Sequence, residues 1–561
     1  PGFPSYRQET PEAYFERLAK RTADQNLPLW DGELYLEYHR GTYTSQAQVK
    51  RANRLCELLY HHAEWLCALH DILTSSHRYP AEALNEGWEM ILLNQFHDIL
   101  PGSSIRQVYE DCELDYAKVR QIGEMALKRG QAGLAENIHT EAPGLLVFNS
   151  LSWPRAGLVE IPWTEGLNGR SHQPIRQGEE KKALVLVSDV PSLGYRLEPF
   201  EQETAVSHTP FTITPTLLEN PFYRLELNEQ GQLTSIWEKR NGREALAPGA
   251  RGNVLQTFID KPMAFDAWDI DIYYQEKLTE ICDLVEAVVE ETGPLCGVLR
   301  LRWQFSNSTI TQRLTLYRHS PRIDFRTEVD WQEKQILLKV AFPVDIRAAR
   351  ATYDIQFGQI ERPSHWNTSW DLARFEVPAH KWADLSEGDY GVALLNDCKY
   401  GYDIKDNVLR LTLIKSAVRP DPQADKGHHQ FTYSLLPHAG DWRETVIHEG
   451  YDLNNPLLAT AVSANPQGTL PASYRFAATD AENVIIETVK QAEDSDDWIV
   501  RLYETRQSRG QVTITFGQPI QRAVECNLVE EAESETAVAY TGTKLTFTIK
   551  PYEIRTSKLT F

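Results

Sequence analysis

Apolar residues recur at steps of three and four between Gln46 and Leu73, where Val49, Ala52, Cys56, Leu59, Ala63 and Leu66 share one face with charges between them. This spacing predicts a long amphipathic helix. A second helix is expected from about Ala81 to Ile99, carrying Leu84, Trp88, Ile91, Leu92 and Gln95, and a third from Ile105 to about Ile138. A shorter one opens at Thr10-Pro11-Glu12, with a threonine cap and proline at the first helical position, and reaches about Ala19. Between them, Leu27 to Tyr38 alternates and reads as a strand delivering a polar, aromatic loop from His39 to Ser45. The long helices together form a bundle of roughly a hundred residues.

After Pro143 the period changes. Leu145 to Asn149, Gly157 to Ile161 and Ala183 to Val187 are short runs rich in β-branched or aromatic residues, bounded by Pro, Gly, Asn and Asp. The same texture continues through Phe222 to Leu227, Gly297 to Trp303, Thr309 to Tyr317, Arg322 to Val329, Asn483 to Val489 and Trp498 to Tyr503. Many strands in succession with almost no helical period predict stacked antiparallel sheets, and hence β-sandwiches. The expected division is a helical bundle over 1–140, a small β-domain over 141–214, a large β-sandwich over 215–465 and a terminal sandwich over 466–561.

Length and composition narrow the function. A chain of 561 residues exceeds one core, and 42% hydrophobic with 24% charged residues is ordinary for a globular protein. A formal net charge of −22 argues against nucleic acid or an anionic membrane as partner, because both need a basic face. No run of about 18 apolar residues is present to span a membrane. The seven cysteines include no Cys-x-x-Cys pair, which suits free thiols in a reducing compartment such as the cytoplasm. The opening Pro1-Gly2-Phe3-Pro4 has no initiator methionine, and the chain is expected to be a piece of something longer. A homo-oligomer is compatible with the sequence.

One stretch stands out for chemistry. In Asn94-Gln95-Phe96-His97-Asp98-Ile99-Leu100-Pro101-Gly102-Ser103-Ser104, a histidine and an aspartate sit side by side where a helix stops at Pro-Gly. Ser104 with Gln107 reads as a capping box opening the next helix. The pair suits a metal or a sugar, or it is an ordinary capping or surface pair. Four polar and aromatic clusters interrupt the strand pattern, around Asp266 and Trp268, Arg362 and Trp366, Tyr400, and His428 and His429. An acidic loop with a tryptophan suits a sugar, or is a solvated turn. The adjacent histidines point to opposite faces of a strand and are not expected to share an ion. There is no Gly-x-Ser-x-Gly elbow, P-loop or His-Glu-x-x-His, and among 79 acidic residues spacing selects no catalytic pair.

The strings from Gly32 to Gln46, from Asn94 to Ser103 and from Asp266 to Asp269 closely resemble the α-mannosidases of glycoside hydrolase family 38, and the loops around Arg362 and from Asp425 to His429 are similar too. The resemblance covers essentially all of the chain. It implies the parts that follow an N-terminal α/β domain, namely a helical bundle and β-sandwiches, the largest mutarotase-like. It also implies a zinc-dependent retaining glycosidase acting on mannose-containing oligosaccharides. By motif match His97 is one zinc ligand, Asp98 hydrogen-bonds the mannose, and the loop from His39 to Tyr43 lines the sugar. Some members carry tryptophan at the position of His39.

Asp266, Trp268, Arg362, Tyr400 and His428 are further candidates to reach the substrate. No His-x-Asp string occurs in the helical part, and no nucleophile or general acid is assigned to this chain. Half an active site is therefore expected here, with the other half in an α/β domain upstream in the complete polypeptide or on a separate chain, and no activity from this chain alone. The rival classes are a non-catalytic carbohydrate-binding or scaffold protein and, by fold analogy, a mutarotase-like epimerase.

Overall fold

The computed structural model describes all residues except 1, 3, 5, 164–166, 168–171, 178–179 and 201–208. Residues Pro1–Leu36 and Glu37–Phe561 are two separate units. In the first, helix α1 (Pro11–Thr22) begins at Thr10, whose hydroxyl accepts from the Ala13 amide at 3.4 Å, and Pro11 sits at the first helical position. The alternating stretch that follows is no strand. Leu29 and Leu34 are 90% and 78% exposed, and alternation without a paired neighbour makes no sheet. The second unit starts instead with a short 3-10 turn, Glu37–Tyr43.

Helices α2 (Ala47–Thr74), α3 (Ala81–Asn94) and α4 (Arg106–Asn137) form the expected bundle. Its core contains Tyr60, Ala63, Leu84, Ile91, Tyr116 and Val119. The Tyr60 hydroxyl crosses the bundle to the Val119 carbonyl at 2.9 Å. α3 lies so close at this point that a Cβ on Gly87 would fall 1.7 Å from the Tyr60 oxygen.

α3 stops at Asn94, short of Ile99, because polar side chains turn the chain there. The Asn94 amide donates to Met90 O at 3.0 Å and to Asp115 at 3.1 Å, while that of Gln95 donates to Asn53 at 3.0 Å and Glu57 at 2.8 Å. The capping box is also absent. Ile105 occupies the cap of α4 without a side-chain hydrogen bond, and the Ser104 hydroxyl donates backwards to Asp98 O at 2.6 Å.

The remainder is antiparallel sheet. A nine-stranded sheet includes Cys296–Phe305, Ser308–Tyr317, Ile323–Trp331, Gly427–Ala439 and Gly358–Pro363, and a six-stranded sheet includes Val254–Ile259, Ile336–Pro343 and Val408–Lys415. Burial along Ser308–Tyr317 alternates residue by residue, the signature of a strand with one face in a core. The two sheets stack where Phe342 meets Phe325 and Tyr433, with ring centroids 5.7 and 6.3 Å apart.

Gly144–Asn149 and Gly194–Pro199 pair with Leu458–Val462 and Ser473–Arg475, so one sheet draws strands from both sides of the large sandwich. In the terminal sandwich, Val484, Ile486, Val500, Leu502 and Ile514 share a core with Trp65, Leu66 and Leu69 of α2. One helix thus joins the bundle core to the terminal sandwich. No described helix is long and apolar enough to cross a membrane.

The start of α2 is anchored from far away in sequence. The Asp425 carboxylate accepts from the amides of Gln46 at 2.9 Å and Ala47 at 2.7 Å, satisfying two of the helix's free N–H groups. Burial pushes the Asp425 carboxyl up from 3.8 to about 6, against the pull of these amides and of Lys50. A carboxyl raised in the folded state binds its proton more tightly there, so its contribution is full below about pH 4 and is lost as pH rises through 6. The stability of the protein relative to Asp425→Asn is therefore expected to fall by roughly 3 kcal/mol between pH 4 and pH 7. Denaturant unfolding at several pH values measures this, and a pH-independent difference would refute it.

Candidate functional site

The loop 37–46 enters α2 across a floor made by two other loops. Gly41 donates its N–H to Trp268 O at 2.7 Å, and a Cβ there would lie 2.6 Å from Lys415 Cε and 2.9 Å from Ala267 O. Only glycine fits so close an approach. The Ser45 hydroxyl donates to Ala267 O at 2.5 Å. Beneath this contact lies the buried Lys415–Asp260 ion pair. Arg40 reaches Asp269 at 3.3 Å and Ala373 O at 2.7 Å, with its guanidinium 4.4 Å above the Phe375 ring. Asp266 accepts from the amides of Val418 at 2.6 Å and Arg419 at 3.1 Å, so it orders the loop leading to Asp425.

The turn after α3 rests on the same loop. Lys50 on the first turns of α2 donates to Ser45 O at 2.5 Å and to Leu100 O at 2.7 Å. Burial lowers the Lys50 ammonium to about 7, with Asp425 opposing the shift. Gly102, at φ +87°, packs where a Cβ would meet Ser45 O at 2.4 Å. Above this support the His97 side chain is 72% exposed, its Nε2 3.1 Å from Asp98 Oδ2. Asp98 also accepts from the Ser103 hydroxyl at 2.9 Å, and the Phe96 ring lies 4.3 Å from that of His97. The pair is presented outward on a turn fixed by backbone contacts.

His39, at the inner edge of the loop, stands 4.9 Å from the Trp268 ring. Its Nδ1 is buried with no hydrogen-bond partner among the described residues, the kind of orphan that a ligand or water completes. Tyr43, Leu100, Pro101 and Tyr400 line a cavity of about 1060 Å³ between the bundle and the sandwiches. The structure therefore joins His39, Tyr43, Asp266, Trp268, His97 and Asp98 through one connected set of loops.

Three other predicted residues are placed differently. Tyr400 is engaged by Arg54, which donates to its hydroxyl at 3.0 Å and stacks 4.2 Å above its ring. Arg362 is 3% exposed, donating to Pro378 O at 2.9 Å with its guanidinium 4.7 Å from the Tyr353 ring centroid. His428 is exposed beside a second cavity of about 540 Å³, and its carbonyl accepts from Gln48 at 2.9 Å. Its neighbour His429 points into the protein and meets Asp425 O at 2.7 Å, and burial pushes its imidazole down to about 3. The two histidines do face opposite sides of the strand.

Among the described residues no group of three or more His, Cys, Asp and Glu is arranged to hold a metal ion. The donor set at the turn is one exposed imidazole. It fits one position of a metal shell and cannot close a shell by itself.

Sequence reasoning missed Lys50, Ser45 and Arg40. Lys50 looked like one more charge on an amphipathic helix, and nothing local shows that it turns inward to two carbonyls.

Comparison with known proteins follows the same geography. Residues 37–134 match the Alpha mannosidase middle domain, residues 218–423 the Glycosyl hydrolases family 38 C-terminal domain, and residues 483–557 the Glycosyl hydrolases family 38 C-terminal beta sandwich domain. Alpha-mannosidase 2C1 of Homo sapiens is 37% identical over 566 residues, covering 99% of this chain and 52% of that protein. Alpha-mannosidase G of Dictyostelium discoideum is 34% identical over 610 residues, covering 99% of this chain and 55% of that protein. The chain thus spans about half the length of these relatives. The crystal structure of an alpha-mannosidase from Enterococcus faecalis V583 shares the fold with a TM-score of 0.80 at 17% identity, over 97% of this chain and 72% of that one. Through its middle domain, its C-terminal domain and its C-terminal β-sandwich, the chain belongs to glycosyl hydrolase family 38.

Proposed function

We propose that the chain is the C-terminal part of a zinc-dependent retaining α-mannosidase that removes terminal α-linked mannose from oligosaccharides. The observation that carries this reading is the exposed His97–Asp98 pair, held on Ser45 by Lys50 beside the His39–Trp268 contact. In this reading His97 offers one neutral imidazole to the ion. The other ligands, the nucleophile and the general acid come from an upstream α/β domain. Bound zinc supplies a positive charge that binds and polarises sugar oxygens.

The residues of this chain do the positioning. One oxygen of Asp98 is fixed by Ser103 and the other faces His97 Nε2 at 3.1 Å, and each carboxylate oxygen keeps a further lone pair to accept from mannose hydroxyls. The Trp268 ring, with His39 4.9 Å away and tilted by 44°, offers an apolar face to the sugar's C–H bonds, and Tyr43 belongs to the same loop as His39. Asp266 acts through the loop it orders. All seven cysteines are free, which suits a reducing compartment such as the cytoplasm.

Assayed on a terminal α-mannoside, the chain alone is expected to give no turnover and the complete protein with its upstream region to be active. Turnover by the isolated chain would sink the division of the site. In the complete protein, His97→Ala should lower the zinc retained per molecule and reduce kcat/KM by about 100-fold or more. Unchanged zinc content would refute the ligand assignment.

Asp98→Asn is expected to keep the zinc and raise KM, with kcat/KM down roughly 10- to 100-fold, because a charged acceptor is lost from sugar hydroxyls. Steady-state kinetics beside metal analysis separates the two roles. Equal loss of zinc in both variants would place Asp98 on the metal instead.

A further inference from the structure

The cavity of about 1060 Å³ does not end at Tyr43 and Leu100. Lys50 and Glu64 both line it, a run of about 20 Å at the rise of an α-helix, and it reaches the terminal sandwich. In this far part α2 presents Glu57, His61 and Glu64, whose spacing of four and three residues puts them on one face. Glu487 of the strand Val484–Gln491 joins them from the sandwich, and its carbonyl meets His61 Nε2 at 2.7 Å. Tyr79, Trp88, Tyr451 and Tyr503 supply aromatic walls.

The carboxylates lack cations. Among the described residues Glu57, Glu64 and Glu487 make no ion pair, and their oxygens accept instead from Gln95 at 2.8 Å, from Trp88 Nε1 at 2.7 Å and from the Thr488 hydroxyl. Glu64 is 8% exposed, and its second oxygen has no partner among the described residues. Burial pushes its carboxyl up to about 7, against the pull of Trp88 and Lys490, and burial raises that of Glu57 as well. His61 Nδ1 is also buried without a partner among the described residues.

The cations nearby are engaged elsewhere. Lys490 is held by Glu493 and by Glu530 at 3.1 Å, Lys381 by Asp354 at 3.2 Å, and Arg54 by Tyr400 at 3.0 Å and Asn396 at 3.1 Å. Buried charges are normally paired, and perturbed acids lining a cavity mark a ligand site.

We infer that this end of the cavity binds an aliphatic polyamine, with ammonium groups on Glu57 and Glu64 and the methylene chain between the aromatic walls. The two acids stand two turns apart on α2, about 10 Å, a span that a triamine such as spermidine bridges. Ammonium groups suit aromatic faces as well as carboxylates, and the methylenes between them suit the Leu84 and Trp88 side chains. A formal charge of −22 draws such cations toward the protein. A single metal ion fits less well, because no group of three or more His, Cys, Asp and Glu among the described residues is arranged to hold one. The site goes beyond the α-mannosidase reading and does not depend on it.

Calorimetric titration of spermidine into the complete protein at low salt tests this. One site per chain is expected, and spermidine acetylated at both ends should not bind. Glu64→Gln keeps the acceptor for Trp88 and Glu57→Gln that for Gln95, and each should weaken binding about tenfold. Asn85→Trp keeps both acids but narrows the cavity, and it should weaken spermidine by a similar factor. Glu124→Gln, exposed on α4 outside this cavity, should stay within about twofold.

Many weak sites that vanish as salt is raised would show attraction to the acidic surface only, and would overturn the site. Affinity unchanged in both glutamine variants overturns it too, as does an absence of binding by the complete protein, in which case the upstream region fills the cavity itself. Displacement of spermidine by mannotriose would make the cavity a part of the sugar path and refute the polyamine assignment. Should Glu64→Gln fail to fold, Glu57→Gln and Asn85→Trp decide the question between them.

Discussion

Helix α2 begins without a cap of its own, and the carboxylate of Asp425, from the large sandwich, takes that place by accepting two amides at 2.9 and 2.7 Å. The position is favourable for a negative charge, since the helix N-terminus carries a partial positive one. It also ties the bundle to the sandwich at the start of the helix, as Arg54 does further along through Tyr400. Lys50, one turn further on, faces back toward that point and ties Ser45 to Leu100. The loop before the helix and the turn carrying His97 are therefore located by the same two buried polar side chains, Asp425 and Lys50.

A second layer of buried charge sits under the loop. Lys415 with Asp260 and Arg40 with Asp269 are salt bridges at or near full burial. Desolvation makes such pairs weak sources of stability, and an apolar replacement of the same shape is often no worse for folding. Their directionality is what an apolar core lacks. A lysine whose carbon chain touches the backbone at Gly41 while its ammonium is held by Asp260 leaves the loop one height above the sheet. Lys339, bonded to Glu376 and to Asp403 at 2.7 Å, repeats the device inside the six-stranded sheet. Placement of loops on this fold is largely electrostatic, while the sandwiches beneath them are held by stacked apolar faces.

This difference explains what the sequence discloses. The helices and most strands follow from local periodicity, because the face that packs is written every three to four or every two residues. Leu27 to Leu36 shows the limit: its alternation is real, but a strand also needs a partner, which no local pattern records. The early end of α3 had the same cause in reverse, since Asn94 and Gln95 answer to Asp115, Asn53 and Glu57, remote in sequence or on another helix. For the site, the motif strings point to His39 and Trp268, whose rings stand 4.9 Å apart, and to the adjacent His97 and Asp98. They do not disclose Lys50, whose role depends on two carbonyls brought to it by folding, nor that the Arg362 guanidinium is buried against Tyr353 and Pro378.

The support and the presented groups are thus separate populations. Asp425, Lys50, Asp260, Lys415 and Gly102 are buried or backbone-facing and determine position, whereas His97 and Asp98 stand outward with few contacts of their own. In the proposed half-site, a residue giving one ligand to a shared ion would have to be placed by its own half of the protein before the ion is there. Packing around the imidazole would do this at the expense of access. Fixing the turn beneath it, through Ser45 and Leu100, leaves the ring free and its origin fixed. That arrangement suits the proposed half-site, with the strongest contacts near His97 made by the backbone around it rather than by the histidine.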